Sequence, residues 1–231
     1  AILCAEPSLL PAEPFLSIVI PAYNEEARLP GSVENIRAYA AARQFSVEVV
    51  VVDDGSEDGT AAAALRAAAE WPAVRLLRNP GNRGKGYSVR HGMLEAAGRV
   101  ALFTDADLSA PIEDADRLLE ALEAGYDVAF GSRALRPELI GVHQSWFRET
   151  AGKTFNLLAR AITRLPFHDT QCGFKVFRAE AARAIFSRQH IDGWGFDVEV
   201  LYLAKKLGYR AAEIPVRWSH VRGTKISMWR D

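Results

Sequence analysis

Cysteine is scarce in this sequence, which has only Cys4 and Cys172 among its 231 residues. Two cysteines exclude the dense disulfide framework of small secreted domains, and they cannot complete a structural zinc site by themselves. The low count suits a reducing compartment such as the cytoplasm.

An excess of charge of either sign is also missing. The chain has 28 Lys and Arg against 29 Asp and Glu, a formal net charge of −1, so no global field attracts it to nucleic acid. No apolar run approaches the roughly 18 residues of a transmembrane helix, and no membrane span is predicted.

Two named nucleotide-binding motifs are absent. A P-loop requires G-x-x-x-x-G-K-[ST], but in NPGNRGKGYS it is Asn79 and Gly86 that occupy the first and last motif positions. A dinucleotide fingerprint requires glycines after the first strand, where PAYNEE stands instead. The GKG at 84–86 opens a predicted helix. With Lys85 it forms either an anion site made of backbone N–H groups or merely a helix start with a solvated lysine.

What the sequence does contain is a regular alternation of strand and helix patterns. Apolar or β-branched runs predict five strands, over 15–22, 47–54, 73–79, 99–105 and 126–133. Helical patterns lie between them, over 31–43, 58–71, 84–97 and 110–125. This alternation predicts right-handed βαβ units, and therefore an α/β fold with a mostly parallel central sheet flanked by helices.

The chain after Arg133 has a different character. It is richer in aromatic residues, it alternates less regularly, and it carries a helical pattern over 145–162. We predict one domain over 15–231. The three prolines in residues 1–14 predict a flexible leader before that domain.

Four of the predicted strands are followed by polar segments, PAYNEE, DDGSEDGT, TDADLS and GSR. Ligands of open α/β sheets bind beyond the carboxyl ends of the strands. These four segments should therefore meet at one edge of the sheet and form a polar ligand site.

The segment FTDADLSAP places Asp105 and Asp107 on either side of the small Ala106. Side chains at i and i+2 of an extended segment point the same way, so two unpaired carboxylates would repel each other. Mg²⁺ or Mn²⁺ would remove this conflict and bind a phosphate as well. The alternative is that Asp107 caps the next helix and Asp105 binds loop amides. Asp54 in DDGS also fits ordinary turn chemistry.

Together, SIVIPAYNEE, VVDDGSEDGT, FTDADLSAP and GSR resemble the inverting family-2 glycosyltransferases, which have the GT-A fold. DTQCGFKVF (169–177) and GWGFDVEVLYLAKKLGYRAAEIPVRW (193–218) resemble the dolichyl-phosphate, or polyprenyl-phosphate, β-glucosyltransferase branch. The similarity runs from about residue 17 to residue 225. It implies a Rossmann-like nucleotide-sugar-binding half over 15–133 and an acceptor half over 134–231.

The resemblance also implies residues that bind the donor. Those that line its base and ribose are Pro21, Tyr23, Glu25 and Asp54, with Asp54 bonded to the base. Lys85 is expected to contribute positive charge at the start of its helix.

The same resemblance makes Asp105, Ala106 and Asp107 the DxD motif that binds Mg²⁺ or Mn²⁺ and the donor diphosphate. Asp107 is the surer metal ligand of the two carboxylates. A third polar ligand follows two positions later in the mannosyltransferase relatives, and Ser109, a poor ligand, stands there in this sequence.

For the acceptor, Arg133 of GSR and Arg148 match arginines that hold its phosphate, and Asp197 of GFDVE falls near a catalytic carboxylate. Neither arginine has an obvious local acid partner, since Glu149 is adjacent to Arg148 and adjacent helix residues do not face each other. An acceptor phosphate is already anionic, so Asp197 either acts as a base or orients the sugar.

The resemblance thus implies a metal-dependent inverting glycosyltransferase that moves glucose from UDP-glucose to a polyprenyl or dolichyl phosphate. The alternatives are a mannosyltransferase that uses GDP-mannose and a non-catalytic nucleotide-sugar-binding module. No nucleic-acid partner is predicted. The 145–162 pattern is either a core helix or an amphipathic face at a membrane surface. We expect a cytoplasmic protein, peripheral at the cytoplasmic face of a membrane.

Overall fold

The computed structural model of the protein describes residues 13–142, 156, 159 and 162–220. The predicted leader lies outside these residues, apart from Glu13 and Pro14. Most of the helical pattern over 145–162, including Arg148, also lies outside them.

Nine strands are present in the described part of the chain. They are β1 (Leu16–Ala22), β2 (Val47–Asp53), β3 (Val74–Arg78), β4 (Val100–Thr104), β5 (Val128–Ser132), β6 (Ile140–Val142), β7 (Phe174–Arg178), β8 (Ala211–Pro215) and β9 (Trp218–Ser219). Seven of them form one sheet in the order β3-β2-β1-β4-β7-β5-β8, and β6 pairs with β9 in a small second sheet. The predicted mostly parallel sheet is therefore confirmed.

Strand β7 is the antiparallel member of the large sheet, inserted between β4 and β5. Its first residue, Phe174, lies opposite Thr104 at the end of β4. The segment just before β7 therefore reaches the same edge of the sheet as the carboxyl ends of the parallel strands. The two predicted halves of the chain share this one sheet.

The helices cover both faces of the sheet. They are α1 (Leu29–Ala41), α2 (Thr60–Glu70), α3 (Lys85–Glu95), α4 (Ala115–Glu123), α5 (Ala179–Phe186) and α6 (Phe196–Lys206). Because successive strand residues point to opposite faces, Val49 and Val51 pack in the core under α1, α2 and α4. Val50 and Val52 pack in the core under α3, α5 and α6. Burial of each valine contributes about 1.5–3 kcal/mol.

The predicted elements agree with the observed ones to within two residues at most ends. The largest difference is in the 110–125 helix, where a short 3-10 turn at Ile112–Asp114 precedes α4. Every helix in the described ranges is too short or too polar to span a bilayer.

Candidate active site

The DxD motif begins where β4 ends, at the carboxyl edge of the sheet. Asp105 forms an ion pair with Lys85, the first residue of α3, with 2.5 Å between Oδ1 and Nζ. The same ammonium lies 4.7 Å from the centre of the Trp194 ring. Three chain segments therefore meet at the first carboxylate of the motif.

Electrostatics keep the Lys85 side chain protonated. Burial alone would lower the pKa of this lysine, but the charges of Asp105, Asp197 and Asp107 outweigh burial and raise the pKa. Lys85 therefore carries a full positive charge at neutral pH. The predicted repulsion between Asp105 and Asp107 is relieved in part by a cation of the protein itself.

Asp107 is held by the loop that follows it. Its Oδ1 accepts hydrogen bonds from the Ser109 backbone N–H at 3.0 Å and from the Ser109 hydroxyl at 2.8 Å. Leu108 between them has a φ of +47°, a left-handed conformation that is rare for a branched residue and frequent at functional sites. The 3-10 turn that follows has no side-chain cap, so the alternative in which Asp107 caps a helix is wrong.

The two carboxylates fit a divalent cation that also binds phosphate. Oδ1 of Asp105 faces Lys85, while Oδ2 lies so close to Gly173 that a Cβ there would be 2.5 Å away. No group of three His, Cys, Asp or Glu ligands occurs among the described residues. Mg²⁺ is usually bound by one or two carboxylates together with substrate phosphate and water, so this donor set suits Mg²⁺ or Mn²⁺ with a diphosphate.

Asp54 is buried beneath the turn that leads into α3. One of its oxygens accepts from Asn79 Nδ2 at 2.7 Å and from the Arg83 N–H at 3.0 Å, and the other accepts from the Gly84 N–H at 2.8 Å. Asp54 therefore holds the turn that positions Lys85. Its bond to a nucleotide base remains a prediction.

The GKG segment packs closely against the chain that leads to Trp194, and its binding of an anion through backbone N–H groups remains a prediction. The Tyr87 N–H donates to the Asp192 carbonyl at 3.1 Å. A Cβ at Gly84 would lie 2.6 Å from the Asp192 oxygen, and one at Gly86 would lie 2.4 Å from the Ile191 oxygen. The two glycines thus allow the segment that leads to Trp194 to lie directly against the start of α3. The cation that α3 presents to the site is the Lys85 side chain.

The predicted base-binding residues lie at the end of β1 and in the loop after it. Pro21 belongs to β1, and Tyr23 follows it in a partly buried position. The Glu25 carboxylate binds Arg28 through two bonds of 2.5 and 2.6 Å, and the Glu25 N–H donates to Thr60 Oγ1 at 2.7 Å. The first two polar strand ends therefore meet, as predicted. Contact with a base remains a prediction for all three residues.

Arg133 has an acid partner that the sequence did not indicate. Its Nε and Nη2 bind both oxygens of Asp169, at 2.7 and 2.9 Å, and its backbone N–H donates to the same carboxylate at 3.0 Å. The guanidinium also lies 5.6 Å from the centre of the Trp218 ring. Arg133 is therefore paired, although no acid lies near it in sequence, because Asp169 reaches it from a different part of the chain. Arg148 lies outside the described residues.

Charge pairing offsets the burial of Asp169. Burial alone would raise the pKa of this carboxyl, but the Arg133 guanidinium lowers it below its ordinary value. The Asp169 N–H donates to Glu213 at 2.8 Å, and Ser132 Oγ donates to the same glutamate at 2.7 Å. Glu213 on β8 therefore fixes the position of the Arg133–Asp169 pair.

Asp197 lies in the first turn of α6 and is 2% exposed. Its Oδ1 accepts a 2.5 Å bond from Lys175 Nζ, and the same ammonium donates to the Cys172 carbonyl at 2.5 Å. A base at this position would have to act while bound to a lysine. The catalytic role of Asp197 remains a prediction.

Four residues of this site received no individual role from sequence reasoning. They are Asp169, Lys175, Trp194 and Trp218. Each falls within DTQCGFKVF or the segment over 193–218, which indicated the branch of the family without indicating which side chains meet. The side chains that they contact are distant in sequence, so local pattern carries no signal for these contacts.

The fold and the site define a glycosyltransferase with the GT-A fold. The chain matches the family described as Glycosyl transferase family 2 over residues 17–186. It therefore belongs to that family and is an enzyme that transfers a glycosyl group.

Two relatives within this family carry the same name. The chain is 41% identical over 226 residues to a dolichyl-phosphate beta-glucosyltransferase of Drosophila melanogaster, covering 92% of this chain and 69% of the relative. It is 38% identical over 225 residues to the enzyme of the same name from Homo sapiens, covering 91% and 69%.

A solved structure shares the fold. Glucosyl-3-phosphoglycerate synthase from Mycobacterium tuberculosis, crystallised with Mn²⁺ and UDP-glucose, superposes with a TM-score of 0.69. The two sequences are 20% identical, and the match covers 94% of this chain and 74% of the synthase. The predicted GT-A fold is therefore confirmed.

Proposed function

We propose that this enzyme transfers glucose from UDP-glucose to the phosphate of a dolichyl or related polyprenyl phosphate, with inversion at the anomeric carbon. One observation carries the proposal. The DxD carboxylates with Lys85, and the Arg133–Asp169 pair, lie at the same edge of one sheet. An anionic donor and an anionic acceptor each require such cations. Relatives named for this reaction support the choice of substrates.

At the donor end, Asp105 and Asp107 are the residues that would hold Mg²⁺ or Mn²⁺. The bound ion would neutralise the charge that develops on the departing diphosphate. Lys85 adds a fixed ammonium beside the same carboxylates and donates to a diphosphate oxygen. Charge-assisted bonds of this kind contribute about 1.5–3 kcal/mol each.

At the acceptor end, Asp169 occupies the Nε and Nη2 edge of Arg133, so Nη1 is the part that donates to the acceptor phosphate. Trp218 lies beside the guanidinium and limits its movement. Arg148 supplies a second arginine, as the family resemblance implies. The acceptor phosphate is a nucleophile without deprotonation at neutral pH. Asp197 therefore acts by orienting the sugar.

A lipid-linked acceptor requires that the enzyme meet a membrane. We place the protein at the cytoplasmic face of a membrane, as a peripheral protein. The basic and apolar residues of the 145–162 sequence are the candidates for contact with that membrane. The division into a donor half over 15–133 and an acceptor half over 134–231 belongs to the same proposal.

A donor screen tests the function. The purified enzyme is incubated with a polyprenyl phosphate and either UDP-glucose or GDP-mannose, with Mg²⁺, with Mn²⁺, or with EDTA. We expect transfer from UDP-glucose in the presence of either metal, and loss of transfer with EDTA. Thermal shift should rank UDP-glucose above GDP-mannose, since a site built around hydrogen bonds to one base rejects another.

Other outcomes of the screen point to other functions. Preference for GDP-mannose would move the enzyme to the mannosyl branch. Donor binding without transfer to any polyprenyl phosphate would indicate a different acceptor. Metal-independent transfer would contradict the role proposed for Asp105 and Asp107.

A further inference from the structure

Lys175 is a fully buried lysine in the middle of the central sheet. It lies on β7, with Phe103 of β4 and Phe130 of β5 as its neighbours in register. Its side chain has 0% exposure and its ammonium binds Asp197, which is also buried. Lysine and aspartate are almost never buried this completely unless they are paired.

Stability alone does not account for such a pair. Removal of two charges from water costs several kcal/mol per ion, and a well-packed apolar pair of similar volume is often equally stable or more so. The surrounding core is rich in Phe and Val and would accept apolar side chains. This buried pair is therefore better explained by what its charges do at the site.

The Lys175–Asp197 pair lies close to the donor side of the site. The Cys172 carbonyl fixes Lys175 Nζ, and Lys175 fixes Asp197 at the start of α6. Three residues before Asp197, Trp194 lies against Lys85. Gly173, the residue after Cys172, lies against the DxD motif, since a Cβ there would be 2.5 Å from Asp105 Oδ2.

The pKa of Asp197 is raised above its ordinary value, and Lys175 limits this rise. Burial raises the pKa of Asp197, while the charges of Lys175 and Lys85 act in the opposite direction and that of Asp105 acts with burial. Removal of Lys175 would raise the pKa of Asp197 further and would remove the 2.5 Å bond that holds its carboxyl group.

We propose that Lys175 is a positioning residue for glucosyl transfer, which holds the Asp197 carboxylate in one orientation beside Lys85 and the donor sugar. Two ion pairs, Lys175–Asp197 and Lys85–Asp105, then border the donor side of the site. The inference rests on the proposed function, and it assigns a role to the lysine of the QCGFK segment.

Three variants test the proposal. Lys175→Met removes the ammonium, and Lys175→Met combined with Asp197→Leu replaces the whole pair with apolar side chains. Lys206→Met changes an exposed lysine at the other end of α6 and is the matched control. For each, we measure the melting temperature, the affinity for UDP with Mn²⁺ by calorimetry, and kcat and KM for UDP-glucose.

We expect Lys175→Met to lower kcat by about 100-fold, the size of effect that follows a misplaced reacting group, while the KM for UDP-glucose changes by less than about 3-fold. The double variant should recover the melting temperature of the wild type, because no unpaired charge is left buried. It should stay as slow as Lys175→Met. The Lys206→Met control should match the wild type throughout.

Recovery of both stability and kcat in the double variant would show that the pair is only structural, and would overturn the inference. Normal kcat in Lys175→Met would do the same. Failure of the proposed function is a separate result, in which the wild-type enzyme itself does not transfer glucose from UDP-glucose. The affinity for UDP is measured by calorimetry in the absence of any reaction. A wild-type affinity shows that the donor site of a variant is intact.

Discussion

Lys85 and Asp105 form a 2.5 Å ion pair between the first residue of α3 and the residue that follows β4. The pair joins the cation predicted for the donor phosphates to a carboxylate predicted for the metal. A cation of the protein therefore already touches the metal motif. Binding of a metal and a diphosphate at this point has to share Asp105 with Lys85.

Substitution of Lys85 should weaken donor binding. We expect Lys85→Met to lower the affinity for UDP in the presence of Mn²⁺ by about 10-fold to 100-fold, because one charge-assisted bond is lost. Calorimetric titration measures the change, with Lys206→Met as the control. Wild-type affinity in Lys85→Met would show that this ammonium serves only to neutralise Asp105.

The metal prediction concerns Asp107, whose Oδ1 is bound by Ser109. We expect Asp107→Asn to abolish the increase in UDP affinity that Mn²⁺ causes, since an amide is a poor ligand for a hard cation. The fold should survive, because the motif lies in a loop at the edge of the sheet. UDP is titrated with and without Mn²⁺, with the exposed Glu120→Gln as a control. Unchanged metal dependence in Asp107→Asn would contradict the assignment.

Arg148 tests the nature of the acceptor. If Arg148 binds the acceptor phosphate, Arg148→Ala should raise the KM for polyprenyl phosphate or collapse turnover, while UDP-glucose affinity stays near that of the wild type. Loss of donor affinity with normal acceptor kinetics would instead assign Arg148 to the donor. No change in either would remove it from the site.

Arg133→Met should destabilise the protein in a pH-dependent way. The variant leaves the buried Asp169 carboxylate without its cation, and we expect a loss of about 1–3 kcal/mol in the free energy of unfolding at pH 7. The exposed Arg136→Met, three residues away, is the control and should have little effect.

The sign of the pH dependence follows from the lowered pKa of Asp169. Such a group stabilises the folded protein fully above its ordinary pKa, near 4, and that contribution disappears as the pH falls through the lowered value. The wild type and Arg133→Met should therefore differ less in their free energy of unfolding below about pH 4 than at pH 7. Urea denaturation at pH 7, 5 and 3 measures this difference. If the difference in free energy of unfolding instead grew on acidification, the Arg133–Asp169 pair could not be the cause of that difference.

The strands were predictable because each is a local pattern. Within β2, Val49–Val52 is a continuous β-branched run, which is typical of a strand that is buried on both faces. The position of β7 was not predictable in the same way. Phe174–Arg178 inserts antiparallel between β4 and β5, and that choice depends on contacts with strands more than 40 residues away along the chain.

Within the site, the sequence by itself determined the carboxylates at the ends of β2 and β4. A polar residue that directly follows a buried strand must emerge at the edge of the sheet, so Asp54 and Asp105 could be placed from their neighbours alone. The arrangement of two carboxylates around one small residue also indicated a divalent cation.

Only the tertiary structure decided which cation each carboxylate meets. The pairs are Lys85–Asp105, Arg133–Asp169 and Lys175–Asp197. Members of the last two are 36 and 22 residues apart in sequence, and each pair joins two different segments of the fold. Coulomb attraction at contact distance depends on the spatial separation of the groups and on burial, and neither quantity exists until the sheet has brought those segments together.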